Sequence, residues 1–311
     1  MKRVLAICLL LAAPAAQATP TTQAAPTTQA TPTTQATPPT AIKLATWNLE
    51  WLTTRPTGDP SLPDDATTKR PEDIATLAAY AAHLDADAVG IEEVDGPEIA
   101  ARIFPPDRYQ IFMTGDHVVQ RVGLAVRRGF EVTRNPDLLA LDVTRPEAAH
   151  HLRSGLDVTL SLPGSGAGLR LRILVVHLKT GCWRLGFGDT EPYQCKLLHR
   201  QLEVLKAWLA ARQAEHVPFV LMGDFNRNMP AHDVFLDALD ASSPMVLATS
   251  GHISPCWGGE DFIDHIFAGG PAAPWLEPQT LRVMVYRETT PEMKERLSDH
   301  CAVSVQLKPA P

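Results

Sequence analysis

The apolar stretches of this chain run straight into acids, amides and imidazoles, and the sharpest case is residues 217–222 followed by Gly223-Asp224-Phe225-Asn226. An apolar run of that length with Pro218 near its start reads as a short buried strand. Gly223 then lets the backbone turn. In an extended segment positions i and i+2 share a side, so Asp224 and Asn226 are expected to converge on one ligand. The C-terminal end of a strand is where open α/β sheets keep their chemistry. Alone, the segment is equally well explained as a polar turn; its weight comes from the other polar stretches set at strand ends.

A strand over residues 42–47 ends at Asn48, where a plain turn residue is the commoner role. Residues 86–91 form a second strand terminated by Glu92-Glu93. Adjacent carboxylates point to opposite sides, so one can face a common cleft and the other is expected to be solvated or to cap the next helix. His177 interrupts the apolar run 173–178, as hydrogen-bonded core histidines often do. Asp264-His265 lies inside the apolar run 262–267, where an acid needs a partner or a shifted pKa. Ser298-Asp299-His300 precedes a last strand over 301–307. Further strands are expected over 118–126, 152–160, 171–178 and 280–285. Helices are expected over 70–84, opening on Pro71, and over 196–211, where Leu198, Leu202, Leu205 and Leu209 share a face. Many strands with few interleaved helices imply one layered α/β domain with mixed sheets from residue 42 onward. The polar ends are rich in oxygen and lack the Cys/His spacing of zinc sites, which favours a hard cation such as Mg²⁺, with Mn²⁺ or Ca²⁺ as alternatives. Such a cleft suits metal-assisted attack of water on phosphorus.

In chain order, Thr46-Trp47-Asn48-Leu49, Ile91-Glu92-Glu93-Val94, Val176-His177-Leu178, Gly223-Asp224-Phe225-Asn226, Ile263-Asp264-His265-Ile266 and Ser298-Asp299-His300 resemble the signature stretches of the endonuclease/exonuclease/phosphatase superfamily. That superfamily includes deoxyribonuclease I, abasic-site endonucleases, bacterial sphingomyelinases and inositol-polyphosphate phosphatases. The resemblance implies a deoxyribonuclease I-like four-layer sandwich, two packed mixed β-sheets flanked by helices, with the active site at one edge of the sheets. It implies metal binding by Glu93, with Asn48 beside it and Asp299 completing the site. Glu92 stands where the family usually has glutamine, which is expected to add negative charge beside an intact ligand. His300 matches the histidine of the final motif, and Asp264 the acid that orients it. Asp224 and Asn226 would position water and hold a phosphoryl oxygen, and His177 would stabilise charge or protonate the leaving oxygen. Arg153 matches an arginine that contacts phosphate in some nuclease branches.

The same resemblance favours a Cys182–Cys195 bridge among the three pairings open to the four cysteines beyond Cys8, leaving Cys256–Cys301. Closing a loop of about 14 residues is worth roughly 3 kcal/mol in the chain-entropy model. Disulfides suit an exported chain, and residues 1–18 read as a secretory signal peptide: Lys2-Arg3, an apolar run too short to span a membrane, then Ala16-Gln17-Ala18. Residues 19–41 repeat Thr-Pro-Thr-Thr-Gln-Ala with small variations and read as an uncharged, disordered linker. The formal net charge of −7 would become −9 on loss of Lys2 and Arg3. That disfavours a duplex-binding module held by bulk charge, but not an enzyme whose cation supplies local positive charge. The leading expectation is a secreted or periplasmic monomeric nuclease acting on DNA or RNA. A sphingomyelinase-like lipid phosphodiesterase is the alternative, with Trp183-Arg184-Leu185-Gly186-Phe187 as a small apolar loop for it. The inositol-phosphatase branch fits less well, because Cys256-Trp257-Gly258-Gly259 does not match its Trp-Cys-Asp-Arg stretch. A catalytically inactive surface-binding module would predict losses among the motif residues, and none is missing.

Overall fold

The computed structural model describes residues 41–309 apart from 65, 162–168 and 189. The signal-peptide reading and nearly all of the linker lie outside those residues. In chain order the elements are β1 (Ile42–Leu52), α1 (Pro71–Leu84), β2 (Ala88–Val94), α2 (Pro97–Ile103), β3 (Tyr109–Met113), β4 (Arg121–Arg127), β5 (Glu131–Arg134), β6 (Leu156–Ser161) and β7 (Arg170–His177). They continue with α3 (Tyr193–Ala214), β8 (Phe219–Asp224), α4 (Val234–Ser242), β9 (Met245–Leu247), β10 (Asp264–Gly269), β11 (Leu276–Val283), α5 (Pro291–Arg296) and β12 (Val303–Leu307).

Two sheets of six strands carry the fold, one in the order β11-β12-β1-β2-β4-β3 and the other β5-β6-β7-β8-β10-β9. Each is mixed: β1 runs parallel to β2 and β7 parallel to β8, while the remaining pairs are antiparallel. Strand alternation explains the layering. Val220 and Met222 of β8 face the other sheet and join Leu44, Leu124, Val175 and Ile266 in the core between the sheets. Phe219 and Leu221 face the opposite way, against Leu198, Leu202, Leu205 and Leu209 of α3. On the first sheet Ala45, Trp47, Val89 and Ile91 meet Leu77 and Leu84 of α1 in the same manner. The result is the expected sandwich, helix–sheet–sheet–helix.

The strands expected over 118–126, 152–160 and 280–285 are β4, β6 and β11 with shifted bounds, and two strand ends at the cleft depart further. β1 does not stop at Asn48 but continues to Leu52 through a bulge in which Glu50 and Trp51 take left-handed φ values of 39° and 52°. Asp224 and Asn226 do converge, yet not as alternate residues of an extended strand: β8 ends at Asp224 and Asn226 has φ 50°. A turn brings them together, with the Asn226 N–H donating to Asp224 Oδ1 at 2.7 Å. Gly223, at φ 142°, is forced by packing, since a Cβ there would lie 1.9 Å from the Val176 carbonyl oxygen of the neighbouring parallel strand.

Candidate active site

Both sheets end at one cleft. Register pairs His177 of β7 with Asp224 of β8, and Asp224 with Asp264 of β10. From the other sheet, Asn48 lies beside Glu92 in the β1–β2 ladder, and the segment before β12 carries Asp299 and His300. Ser298 fastens that segment: its hydroxyl donates to the Asn48 carbonyl at 2.8 Å and accepts from the His300 N–H at 3.0 Å.

At the centre, His300 Nδ1 donates to Asp264 Oδ2 at 2.8 Å. The same ring turns Nε2 towards Asp224 Oδ2 at 3.9 Å and Asp299 Oδ1 at 3.7 Å. Burial works against charge on His300, but the carboxylates of Asp264 and Asp224 outweigh it and hold the imidazole well above its usual pKa. Asp224 is pushed up to about 7 by burial, with Asp264 adding to the shift and His300 and the donors from Asn48 and Asn226 opposing it. Its Oδ2 accepts from Asn48 Nδ2 at 2.9 Å and Asn226 Nδ2 at 3.1 Å. The Asn48 amide nitrogen also reaches Glu93 Oε1 at 3.2 Å, while its oxygen accepts from the Glu50 N–H at 2.9 Å. Asn48 therefore ties Glu93 to Asp224. His177 Nε2 sits 3.6 Å from Glu93 Oε1 and 3.5 Å from Asp224 Oδ2. Burial, reinforced by the charges of Arg153 and His300, keeps His177 neutral by pushing its pKa well below normal. Arg153 is buried, donates through Nη2 to the Leu178 carbonyl at 3.1 Å, and feels the charges of Glu93 and Asp224.

Glu92 overturns its expectation. In an extended strand the two carboxylates would alternate, but Glu93 has φ 59° at a second bulge and breaks that pattern. Glu92 is fully buried, neither solvated nor capping, and accepts from the Thr46 hydroxyl at 2.9 Å. Burial first, then the nearby Asp264 and Asp224, raise its pKa well above normal. Burial and the neighbouring acids thus disfavour a charge on this side chain.

Sequence reasoning missed Glu50 and Lys69. Glu50 Oε2 accepts from the Asp299 N–H at 2.8 Å and lies 3.7 Å from the buried ammonium of Lys69, which donates to the Glu295 carbonyl at 3.1 Å. Burial raises Glu50 to about 7 against the pull of Lys69. The adjacent Trp51 N–H donates to Glu93 Oε2 at 3.2 Å, so the β1 bulge braces both Glu93 and Asp299. Glu50 was legible as an acid ending an apolar strand; Lys69 gave no signal.

The two expected disulfides are present, Cys182–Cys195 with Cα atoms 5.0 Å apart and Cys256–Cys301 at 5.7 Å. The second brings the loop before β10 against the His300 segment, where Trp257 Nε1 donates to the Ser298 carbonyl at 2.9 Å.

Asp224, Asp264 and His300 offer donor atoms within 4.8 Å of one another. The His300–Asp264 hydrogen bond and the charge on the ring make that trio a poor cage for a hard cation. The oxygen-rich side around Glu93 fits one better, since Asp224, Asp299 and Glu50 crowd the same pocket with acid groups. Four buried atoms at this site, Glu92 Oε2, Arg153 Nε, His177 Nδ1 and Asp264 Oδ1, have no hydrogen-bond partner among the described residues, as fits a place that receives a ligand or water.

The sequence matches the Endonuclease/Exonuclease/phosphatase family over residues 45–300. The chain belongs to this family. No curated protein sequence matches it. Among solved structures of the family's fold, truncated Caenorhabditis elegans TDP2 aligns with a TM-score of 0.58 at 13% identity, covering 86% of this chain and 98% of that one. The human Nocturnin catalytic domain with bound sulfate gives 0.54 at 16% identity, over 86% and 94% of the two chains. A 3′ phosphatase, NExo from Neisseria, bound to product DNA hairpin, gives 0.53 at 16% identity, over 86% and 99%. At these identities the likeness is one of fold. Among the described residues no helix is long and apolar enough to cross a membrane.

Proposed function

We propose that the protein is an exported, Mg²⁺-dependent phosphodiesterase that hydrolyses DNA or RNA. The observation that carries this reading is the acid-braced imidazole of His300 facing Asp224, which Asn48 links in turn to Glu93. In this reading Asp224, oriented by Asn48 and Asn226, positions a water and takes its proton as the water oxygen attacks phosphorus. His300 gives its Nε2 proton to the leaving oxygen as the P–O ester bond breaks, with Asp264 stabilising the imidazolium beforehand. The proton gained by Asp224 returns to His300 across 3.9 Å, which closes the cycle. His177 and Arg153 lie on the Glu93–Asp224 side, where a phosphoryl oxygen gains charge. Glu93 and Asp299 would hold the cation, and Asn48 would orient Glu93. A bound Mg²⁺ supplies Lewis-acid polarisation of the phosphoryl oxygen and neutralises acid crowding. Two disulfides support an oxidising compartment, reached through the signal peptide of residues 1–18, with 19–41 as spacer ahead of the catalytic domain. TDP2 from D. rerio and NExo have been solved with DNA product, which supports a nucleic-acid substrate here.

The test is to incubate the purified protein with plasmid, RNA and sphingomyelin, each with Mg²⁺ and with chelator. Metal-dependent cleavage of plasmid or RNA is expected, abolished by chelator and reduced at least about 10²-fold by His300→Ala. Cleavage of sphingomyelin alone would replace the nucleic-acid reading with the lipid one.

A further inference from the structure

The loop of residues 181–188, between His177 and α3, holds two apolar side chains out in water: Trp183 is 53% exposed and Leu185 44%. Its backbone is nevertheless pinned from three sides. Cys182 is bridged to Cys195. The Arg227 guanidinium donates to the carbonyls of Cys182 at 2.8 Å and Leu185 at 2.7 Å. The Asn228 N–H donates to the Trp183 carbonyl at 3.0 Å.

That backbone bond sets Trp183 against Asn228, two residues beyond Asn226 on the turn that follows Asp224. Arg184 fastens the same loop by pairing with Asp261, near the start of β10.

Arg227 is wholly buried, and among the described residues its side-chain hydrogen bonds go to Asp233, Cys182 and Leu185. Desolvating a guanidinium is costly, and its remaining donors serve only the loop. The indole of Trp183, by contrast, has no hydrogen bond or ring contact among the described residues. A rigid loop that presents a free aromatic face has already lost the freedom that binding would otherwise remove. Lys179 lies along the chain between His177 and this loop, close enough to Arg153 to feel its charge. Arg153 Nη2 donates to the carbonyl of Leu178, the residue before Lys179, at 3.1 Å, so the two cations neighbour each other on a chain of net charge −7.

Resting on the nucleic-acid reading above, the geometry points to Trp183 as a stacking platform for one unpaired base next to the scissile phosphate, with Arg153 and Lys179 receiving the backbone between them. Every base offers a π-face, so such a platform selects strandedness rather than sequence. A membrane surface fits less well: the apolar area is one indole and one leucine, and Glu191 and Asp261 lie beside it.

The experiment compares wild type, Trp183→Ala and Trp183→Phe on a single-stranded oligodeoxythymidylate of about eight nucleotides and on bis(p-nitrophenyl) phosphate, which carries no base. The ratio of kcat/KM on the oligonucleotide to that on the small diester should fall roughly 5–150-fold in Trp183→Ala, chiefly through KM, and recover in part in Trp183→Phe. Val285→Ser, at an exposed apolar position, should leave the ratio unchanged. An unchanged ratio in Trp183→Ala overturns the platform while the phosphodiesterase reading stands. Failure of wild type to cut any nucleic acid while it hydrolyses the small diester overturns the nucleic-acid reading and the platform with it. An unchanged ratio with lost binding to phosphatidylcholine–sphingomyelin vesicles overturns the platform in favour of a lipid contact.

Discussion

His265 should make this fold acid-labile by a calculable amount. Its ring is 2% exposed and both nitrogens are committed. Nε2 lies 2.9 Å from the Arg227 carbonyl, which can only accept, so Nε2 carries the proton. Nδ1, 2.6 Å from the Thr249 hydroxyl, then accepts, and the ring is neutral. Burial lowers its pKa from 6.5 to about 4. A depressed folded-state pKa gives stability that is present above the unfolded value and is lost as pH falls through the folded one. The window therefore runs from pH 6.5 down to about 4. At roughly 1.4 kcal/mol for each pH unit of that window, the contribution is about 3 kcal/mol. Urea denaturation across that window, for wild type and His265→Gln, isolates this share from that of other groups. The variant should be less stable near pH 7, and the gap should close by about 3 kcal/mol by pH 4. A gap that stays constant with pH, or an imidazole that titrates near 6.5 by NMR, would refute the argument.

Three further outcomes follow from other contacts. Asp264→Asn should lower kcat at least about 10²-fold with little change in Tm, because it removes the acid that braces His300 while keeping its shape; the readout is steady-state kinetics beside a melting curve. Gly223→Ala should cost more than about 3 kcal/mol in chemical denaturation, since the added Cβ meets the Val176 carbonyl and cannot adopt φ 142° without strain. Arg227→Met should cost about 3–5 kcal/mol by leaving Asp233 buried and unpaired, and Asp233→Asn in the same chain should recover part of it, both read from urea denaturation.

Much of the site was legible because its parts end strands. Asp224, His177 and Glu93 lie at the C-terminal ends of their strands and Asp264 at the start of the antiparallel β10, and such ends gather at one edge once sheets form. What stayed hidden depends on backbone turns and on neighbours distant in sequence. Left-handed residues at Glu50, Trp51, Glu93 and Asn226 break the alternation from which side-chain direction was read. Glu92 looked like a surface acid because nothing in its own segment reveals Thr46 or the neighbouring Asp264 and Asp224. Lys69 lies in an irregular segment whose burial depends on Glu50 and the Glu295 carbonyl. β9 has three residues, too few for any period, and β3 follows Pro105-Pro106 at a sheet edge with a weak pattern. α4 carried its sign in plain view, Asp233 capping the N–H groups of Phe235 and Leu236, but spans only nine residues.

The strand order also dictates when the cleft comes into being. β5 to β10 follow one another along the chain and complete their sheet from one stretch, whereas β1 must wait for β12, the last strand described, to cover its open side. A ribosome thus delivers Asp224 and Asp264 on a sheet already able to close, long before His300 arrives. Chains shortened ahead of Ser298 would lack Asp299 and His300, the residues that the first sheet's last strand brings to the cleft.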